Sequence, residues 1–98
     1  MGGSSLKGVI IGAGFFARFQ AEAWKRIAGV EVMAVADPFA GRAKAFAAEF
    51  GIPRSYTDAE AMLRSEYAAF ADIVTRPDSH RELCARLAKI LMRRGCSI

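Results

Sequence analysis

What this 98-residue chain has little of narrows its chemistry before any motif is considered. It has only two cysteines, Cys84 and Cys96. They do not form a metal-ligand spacing, and one pair is not a disulfide framework. Cys84 falls within an apolar helical pattern and reads as a small buried hydrophobe. Reduced thiols fit a cytoplasmic protein, and no metal site is expected. No hydrophobic run approaches the length of a membrane span. The start, "MGGSSLK", carries one cation before an apolar stretch, but that stretch holds three glycines and ends at Arg18 without a convincing cleavage site. Leu6 breaks the myristoylation pattern despite Gly2. The chain has neither repeats nor low-complexity linkers. A membrane partner is not expected.

The net charge of +4 is unevenly placed. Acids and bases cancel up to Thr75, and the excess comes from Arg76, Arg81, Arg86, Lys89, Arg93 and Arg94 against Asp78 and Glu82. Such a tail fits either a nucleic-acid or acidic-membrane patch or the solvent face of a last helix. No aromatic residue is interleaved there for base stacking. The second reading is therefore preferred, and no nucleic-acid partner is expected.

Hydrophobic residues make up 53% of the chain, enough for one small domain over residues 1–98. Residues 6–11 form a short apolar run and read as a strand buried on both faces. Phe15, Phe19, Ala23 and Ile27 recur at helical spacing, with Phe16 and Trp24 beside them, and predict the buried stripe of a helix stopped by Gly29. Residues 30–36 predict a second strand. A helix over 39–50 would bury Phe39, Ala43, Phe46, Ala47 and Phe50, then end at Gly51 before Pro53. A short strand at 54–58 precedes a helix capped by Thr57 or Asp58 and running to Ser65. Residues 69–75 predict a fourth strand. Pro77 opens a last helix lined by Leu83, Leu87, Ile90 and Leu91, ending at Gly95. Strands alternating with helices predict an α/β fold: a Rossmann-type parallel sheet with helices on both faces, incomplete at its C-terminal end.

The stretch "VIIGAGFFARFQAEAWKRIAGVEVMAVADP" carries the chemistry. Gly12, Gly14 and Ala17 form G-x-G-x-x-A between a predicted strand and a predicted helix. Gly12 permits the tight turn, Gly14 lets a diphosphate approach the backbone, and Ala17 lets helix and strand lie close. The N–H groups of Gly14, Phe15 and Phe16 would face the anion, aided by the helix dipole. Asp37 closes the second strand, where a carboxylate accepts hydrogen bonds from the adenosine ribose hydroxyls. A 2′-phosphate would be repelled there, and Pro38 follows instead of an arginine or serine. Arg42 is near but within the helix. The expected cofactor is NAD, with NADP disfavoured. Plainer readings exist: an ordinary strand-to-helix turn for the glycines, and a turn former before proline for Asp37.

A second group, "TRPDSH", follows the fourth strand. Loops after the first and fourth strands border the ligand crevice of an open parallel sheet. Thr75, Arg76 and Pro77 would then face the cofactor, and His80 would reach its middle or nicotinamide end. Alternatively Asp78 or Ser79 caps the helix, His80 is an exposed polar residue and Arg76 a solvated charge. Position alone does not separate these readings.

"VIIGAGFFA", "VEVMAVADP", "FAAEFGIPRSYTDAEAML" and "ADIVTRPDSH" resemble the N-terminal half of the Gfo/Idh/MocA oxidoreductases over residues 7–89. The resemblance implies a Rossmann domain binding NAD(P), with Gly12, Gly14 and Phe16 along the pyrophosphate and Asp37 on the ribose. It places Thr75, Pro77 and His80 around the cofactor. The usual loop has a proline where this chain has Arg76. It also implies hydride transfer between the nicotinamide and a sugar, polyol or related alcohol. The family continues with a fifth strand ending in Glu-Lys-Pro, whose lysine helps catalysis, and with a substrate-binding domain. This sequence contains no Glu-Lys-Pro and ends "KILMRRGCSI". The expectation is a truncated form, or a half completed by another chain, that binds cofactor, has no catalytic residue of its own and does not turn over alone. The alternative is a non-catalytic binding or assembly module that buries its unfinished sheet edge by self-association or on a partner.

Overall fold

The computed structural model describes residues 6–66, 68–74 and 85. Their order is β1 (Leu6–Ile11), α1 (Phe15–Lys25), β2 (Val30–Ala36), α2 (Ala40–Phe50), β3 (Arg54–Tyr56), α3 (Ala59–Ser65) and β4 (Phe70–Ile73). The four strands form one sheet in the order β3-β2-β1-β4, and every pair is parallel. The chain builds outward from β1 through β2 to β3, then returns to the other side of β1 for β4. The direction therefore switches between β1 and β4, and a ligand crevice lies beyond their carboxyl ends.

Side chains alternate across a strand, so one sheet feeds two cores. Val9, Ile11, Ala34, Ala36, Ala71 and Ile73 face α3, whose Met62 and Leu63 cover them. Ile10 and Val35 face the other way, where Ala17 and Ala21 of α1 and Phe46 and Ala47 of α2 close over them. Helices thus cover both faces, as the strand–helix alternation predicts.

The buried stripe of α1 is not the predicted one. Phe15, Phe16 and Phe19 are 62%, 75% and 63% exposed, and Ile27 is also exposed. The helix instead buries Ala17 and Ala21, with Trp24 packed at the edge of the core. Residues 17, 21 and 24 share one helical face just as 15, 19 and 23 do, so periodicity alone cannot choose between them. Closeness chooses: α1 leaves the sheet through a tight turn, and only small residues fit under its first turns. Trp24 then ties α1 to β4. Its Nε1 donates to Asp72 Oδ2 at 2.8 Å, and its ring stacks on Phe70 with centroids 4.5 Å apart. The helix ends at Lys25, before Gly29.

In α2, Ala43, Phe46 and Ala47 are buried as expected, but Phe39 is the N-cap and is 65% exposed. Gly51, in the left-handed conformation, ends this helix. Asp58 caps α3, its carboxylate accepting from the Glu60 N–H at 3.1 Å. The last helix expected after Pro77, and both cysteines, lie outside the described residues.

Candidate dinucleotide site

Gly12 has φ 105°, a conformation that favours glycine, and it turns the chain sharply off β1. Its N–H still donates to Ala36 O at 2.7 Å, so the turn begins while the chain is held against β2. Gly14 is different. It is the N-cap of α1 with φ −83°, which any residue adopts. A Cβ built there would meet nothing within 4 Å. Neither backbone geometry nor neighbouring atoms therefore require a glycine at position 14, and the missing side chain leaves space open directly above the helix start.

That helix start suits an anion. No side chain caps α1, and no acid lies in its first turn. The first N–H groups of a helix lack intrahelical partners and carry the positive end of its dipole. Ala17, fully buried, lets the helix lie close enough to aim them across the crevice. The residues present thus fit the diphosphate of a dinucleotide: a bare helix N-terminus with a cradle that a Cβ at Gly14 would fill.

Asp37 follows β2 directly and is only 3% exposed. Its own N–H donates to Tyr56 O at 3.0 Å, which fixes the backbone beyond the strand end. Its Oδ1 accepts from the Phe39 N–H at 2.9 Å, and its Oδ2 from the Ala13 N–H at 2.9 Å. The second bond reaches into the glycine turn, 24 residues earlier in the chain. The carboxylate therefore points at the turn, within one hydrogen bond of the anion cradle. A carboxylate has roughly four acceptor positions. Two backbone donors and one side-chain donor from α2 leave about one position for a hydroxyl group.

Sequence reasoning set Arg42 aside as part of the helix. Its Nε donates to Asp37 Oδ2 at 3.1 Å, and its guanidinium lies 4.8 Å from the centroid of the Phe39 ring. The reason is helical geometry. Arg42 is in the first turn of α2, and helical side chains lean toward the N-terminus, so this one reaches back over the strand end. The five-residue spacing from Asp37 was the available signal.

Beside the turn lies a cavity of about 270 Å³ lined by Gly14, Phe15, Arg18, Arg42, Phe46 and Glu49. Arg18 and Glu49 close its far side in a two-pronged ion pair, with Nη1 to Oε1 at 2.7 Å. A hollow of about 340 Å³, bordered by Trp24, Lys25, Val32, Phe50 and Pro53, is larger. It sits at the amino ends of the strands, away from the crevice where open α/β sheets hold ligands.

Gly12, Gly14, Phe15, Phe16 and Asp37 are thus gathered at one end of the sheet. Thr75, Arg76, Pro77 and His80 lie outside the described residues. The chain does pass toward the crevice before them: β4 pairs with β1, and the Val74 N–H donates to Ile11 O at 2.8 Å. Among the described residues, no group of three or more histidine, cysteine, aspartate or glutamate side chains could hold a metal ion.

A cluster on the opposite side serves the frame. Glu66 is nearly buried and accepts from Arg54 Nε at 2.5 Å and Nη2 at 2.8 Å, and from the Tyr56 hydroxyl at 2.7 Å. The hydrogen bonds from Arg54 hold its carboxyl below the usual glutamate range, against the opposing effect of burial, and the bond from Tyr56 assists. The same contact pushes the Tyr56 hydroxyl up. This cluster pins β3 to the segment entering β4.

Comparison with known proteins agrees with this fold. Residues 6–94 match the Gfo/Idh/MocA family, described as an oxidoreductase family with an NAD-binding Rossmann fold. A D-apiose dehydrogenase of Paraburkholderia graminis is 47% identical over 77 residues, which cover 79% of this chain and 20% of that protein. The D-apiose dehydrogenase of Rhizobium rhizogenes is 42% identical over 80 residues, 82% of this chain and 23% of that one. A crystal structure of an oxidoreductase from Agrobacterium radiobacter, in complex with NAD+, L-tartaric acid and magnesium, superposes with a TM-score of 0.81 at 40% identity. That match covers 89% of this chain and 25% of the other. The chain spans about a fifth of the length of the curated relatives it matches.

Proposed function

Because the chain belongs to the Gfo/Idh/MocA family of oxidoreductases with an NAD-binding Rossmann fold, we propose that it holds the dinucleotide of a dehydrogenase acting on a sugar, polyol or related alcohol. The observation that carries this reading is the bond from the Ala13 N–H to Asp37 Oδ2 at 2.9 Å. It joins the anion cradle of the glycine turn to the ribose acceptor. The amides of Gly14, Phe15 and Phe16 bind the diphosphate, and Asp37 binds the ribose and orients the adenosine half. Thr75, Arg76, Pro77 and His80 border the nicotinamide half. The cofactor, when bound, supplies the hydride acceptor. A base for the substrate alcohol and the wall that excludes water belong to the part of the family outside this match. The 98 residues alone therefore bind NAD without turning it over. The named dehydrogenase relatives point to sugar-like substrates. Among the described residues no helix is long and apolar enough to cross a membrane, and the cytoplasm, where NAD is abundant, is the proposed location.

Titration of the chain with NAD+ and NADP+ by calorimetry tests this reading. Micromolar to submillimolar NAD+ binding, with NADP+ weaker, supports it. No heat with either cofactor removes it.

A second reading concerns assembly, and exposed aromatics favour it. Phe15 meets Phe16 and Phe19 edge to face, with ring centroids 5.8 and 5.4 Å apart. All three rings face solvent in the isolated chain. An apolar cluster of this kind marks a contact surface, and a second chain would cover it. Light scattering decides: a monomer at every concentration, unchanged by Phe16→Glu, ends this reading.

A further inference from the structure

We propose that Trp24 and Asp72 are positioning residues for the dinucleotide: their hydrogen bond, at the far end of α1, sets the direction in which that helix presents its first N–H groups to the diphosphate. The inference rests on the functional reading above and concerns how that site is held rather than what it touches.

The helix lies on the sheet through small residues. Its buried side chains are Ala17 and Ala21. Burial of methyl groups is favourable but non-directional, so it holds a helix down without fixing its axis. The start of the helix is tied by the turn, where the Gly12 N–H donates to Ala36 O at 2.7 Å and the Ala13 N–H to Asp37 Oδ2 at 2.9 Å. Those bonds make a pivot. The direction is set at the other end. There Trp24 Nε1 donates to Asp72 Oδ2 at 2.8 Å, in a partly buried, charge-assisted bond. The indole also stacks on Phe70, with centroids 4.5 Å apart and planes 34° apart. Gly8 makes the room, since a Cβ there would lie 2.1 Å from the Phe70 ring.

The two elements joined in this way flank the crevice. The start of α1 lies at the carboxyl end of β1, and β4 runs parallel to β1 toward the same end. Trp24 lies roughly 15 Å along the axis from Gly14, at about 1.5 Å of rise per residue. Its bond to Asp72 therefore acts at the end of a lever. Without it the helix swings about the glycine turn, and the N–H groups of Phe15 and Phe16 no longer converge on one point. Hydrogen bonds to the diphosphate weaken as their angles close, and ordering the helix then counts against binding. Both side chains act through α1, not on the cofactor.

The test takes the 98-residue chain as wild type, D72N, D72L and W24F. D72N keeps an oxygen acceptor, D72L removes it along with the same charge, and W24F keeps an aromatic ring without the donor. Thermal melts fix a temperature at which each variant is folded, and NAD+ affinity is measured there by calorimetry. Trp24 is the single tryptophan, so one indole N–H resonance in a ¹H–¹⁵N spectrum reports the bond. Wild type must first bind NAD+, and failure there removes the functional reading and this proposal with it. Given that binding, D72N is expected to keep a slowly exchanging indole N–H and an affinity within about twofold of wild type. D72L and W24F are expected to bind roughly three- to tenfold more weakly while folded. Their cofactor-free spectra should also show displaced amides at Gly14, Phe15 and Phe16. A pair that serves stability alone would lower the melting temperature and leave those amides and the affinity of the folded chain unchanged. That result overturns the proposal, as do equal losses in D72N and D72L. If D72L does not fold, the comparison of W24F with D72N decides.

Discussion

Replacing Gly14 by alanine separates the two explanations for a glycine-rich turn. If the glycines merely permit the bend, both Gly12 and Gly14 should be costly to replace. The geometry assigns them different duties. At Gly14, φ is −83° and an added Cβ meets nothing within 4 Å. Alanine there narrows the unfolded ensemble, worth about 0.4–1 kcal/mol of stabilisation. It also gives up the glycine preference at an N-cap, a loss of roughly 0.5–1 kcal/mol. The two offset, and the net change stays within about 0.5 kcal/mol, or roughly 4 °C of melting temperature for a domain of this size. At Gly12, φ is 105°, and a side chain there costs about 1–3 kcal/mol of backbone strain. Binding should show the contrast. The Cβ of Gly14→Ala occupies the diphosphate space, so NAD+ affinity falls at least tenfold, about 1.4 kcal/mol. Thermal melts by circular dichroism and calorimetric titration read the two quantities on the same samples. A Gly14→Ala protein that melts many degrees lower yet binds NAD+ like wild type would refute this reasoning.

Asp37→Ala is expected to destabilise the fold as well as abolish binding, because it strands the buried N–H of Ala13 and the half-buried N–H of Phe39. Urea unfolding should show a loss of about 1–3 kcal/mol. Glu66 gives the chain an acid-sensitive contact. Its folded-state pKa lies below the ordinary value of 4.5, so its stabilisation is complete above that value and is lost as the pH falls through the folded value. Melting temperatures of wild type and Glu66→Gln should converge as the pH drops below 4.5, and a constant gap would contradict the assignment. Gly8→Ala should destabilise by about 1–3 kcal/mol through overpacking, since its Cβ would lie 2.1 Å from the Phe70 ring. Trp24, stacked on that ring, would report the displacement as a fluorescence shift.

The strands, the two-sided sheet and the glycine turn were legible because each depends on local rules. Apolar runs of strand length, a G-x-G-x-x-A turn between strand and helix, and Asp37 at a strand end have local signatures. The exposure of Phe15, Phe16, Phe19 and Phe39 was not legible. Which face of a helix is buried depends on how closely it approaches the sheet, and that is set by the turn before it. The α1 stripe shows the limit: alanines won the core because they are small, not because they are the most hydrophobic. Arg42 was set aside for a related reason. Its contact with Asp37 joins a strand end to a helix start, and the backward lean of helical side chains becomes informative only once the helix is known to begin at Ala40.

The most direct measurement is an amide ¹H–¹⁵N spectrum of the 98-residue chain recorded through an NAD+ titration. The largest shifts are expected at the backbone amides of Ala13, Gly14, Phe15 and Phe16, with Phe39 following through the Asp37 carboxylate it shares. Shifts confined to the hollow around Trp24 and Pro53, or none at the glycine turn at saturating NAD+, would contradict the account.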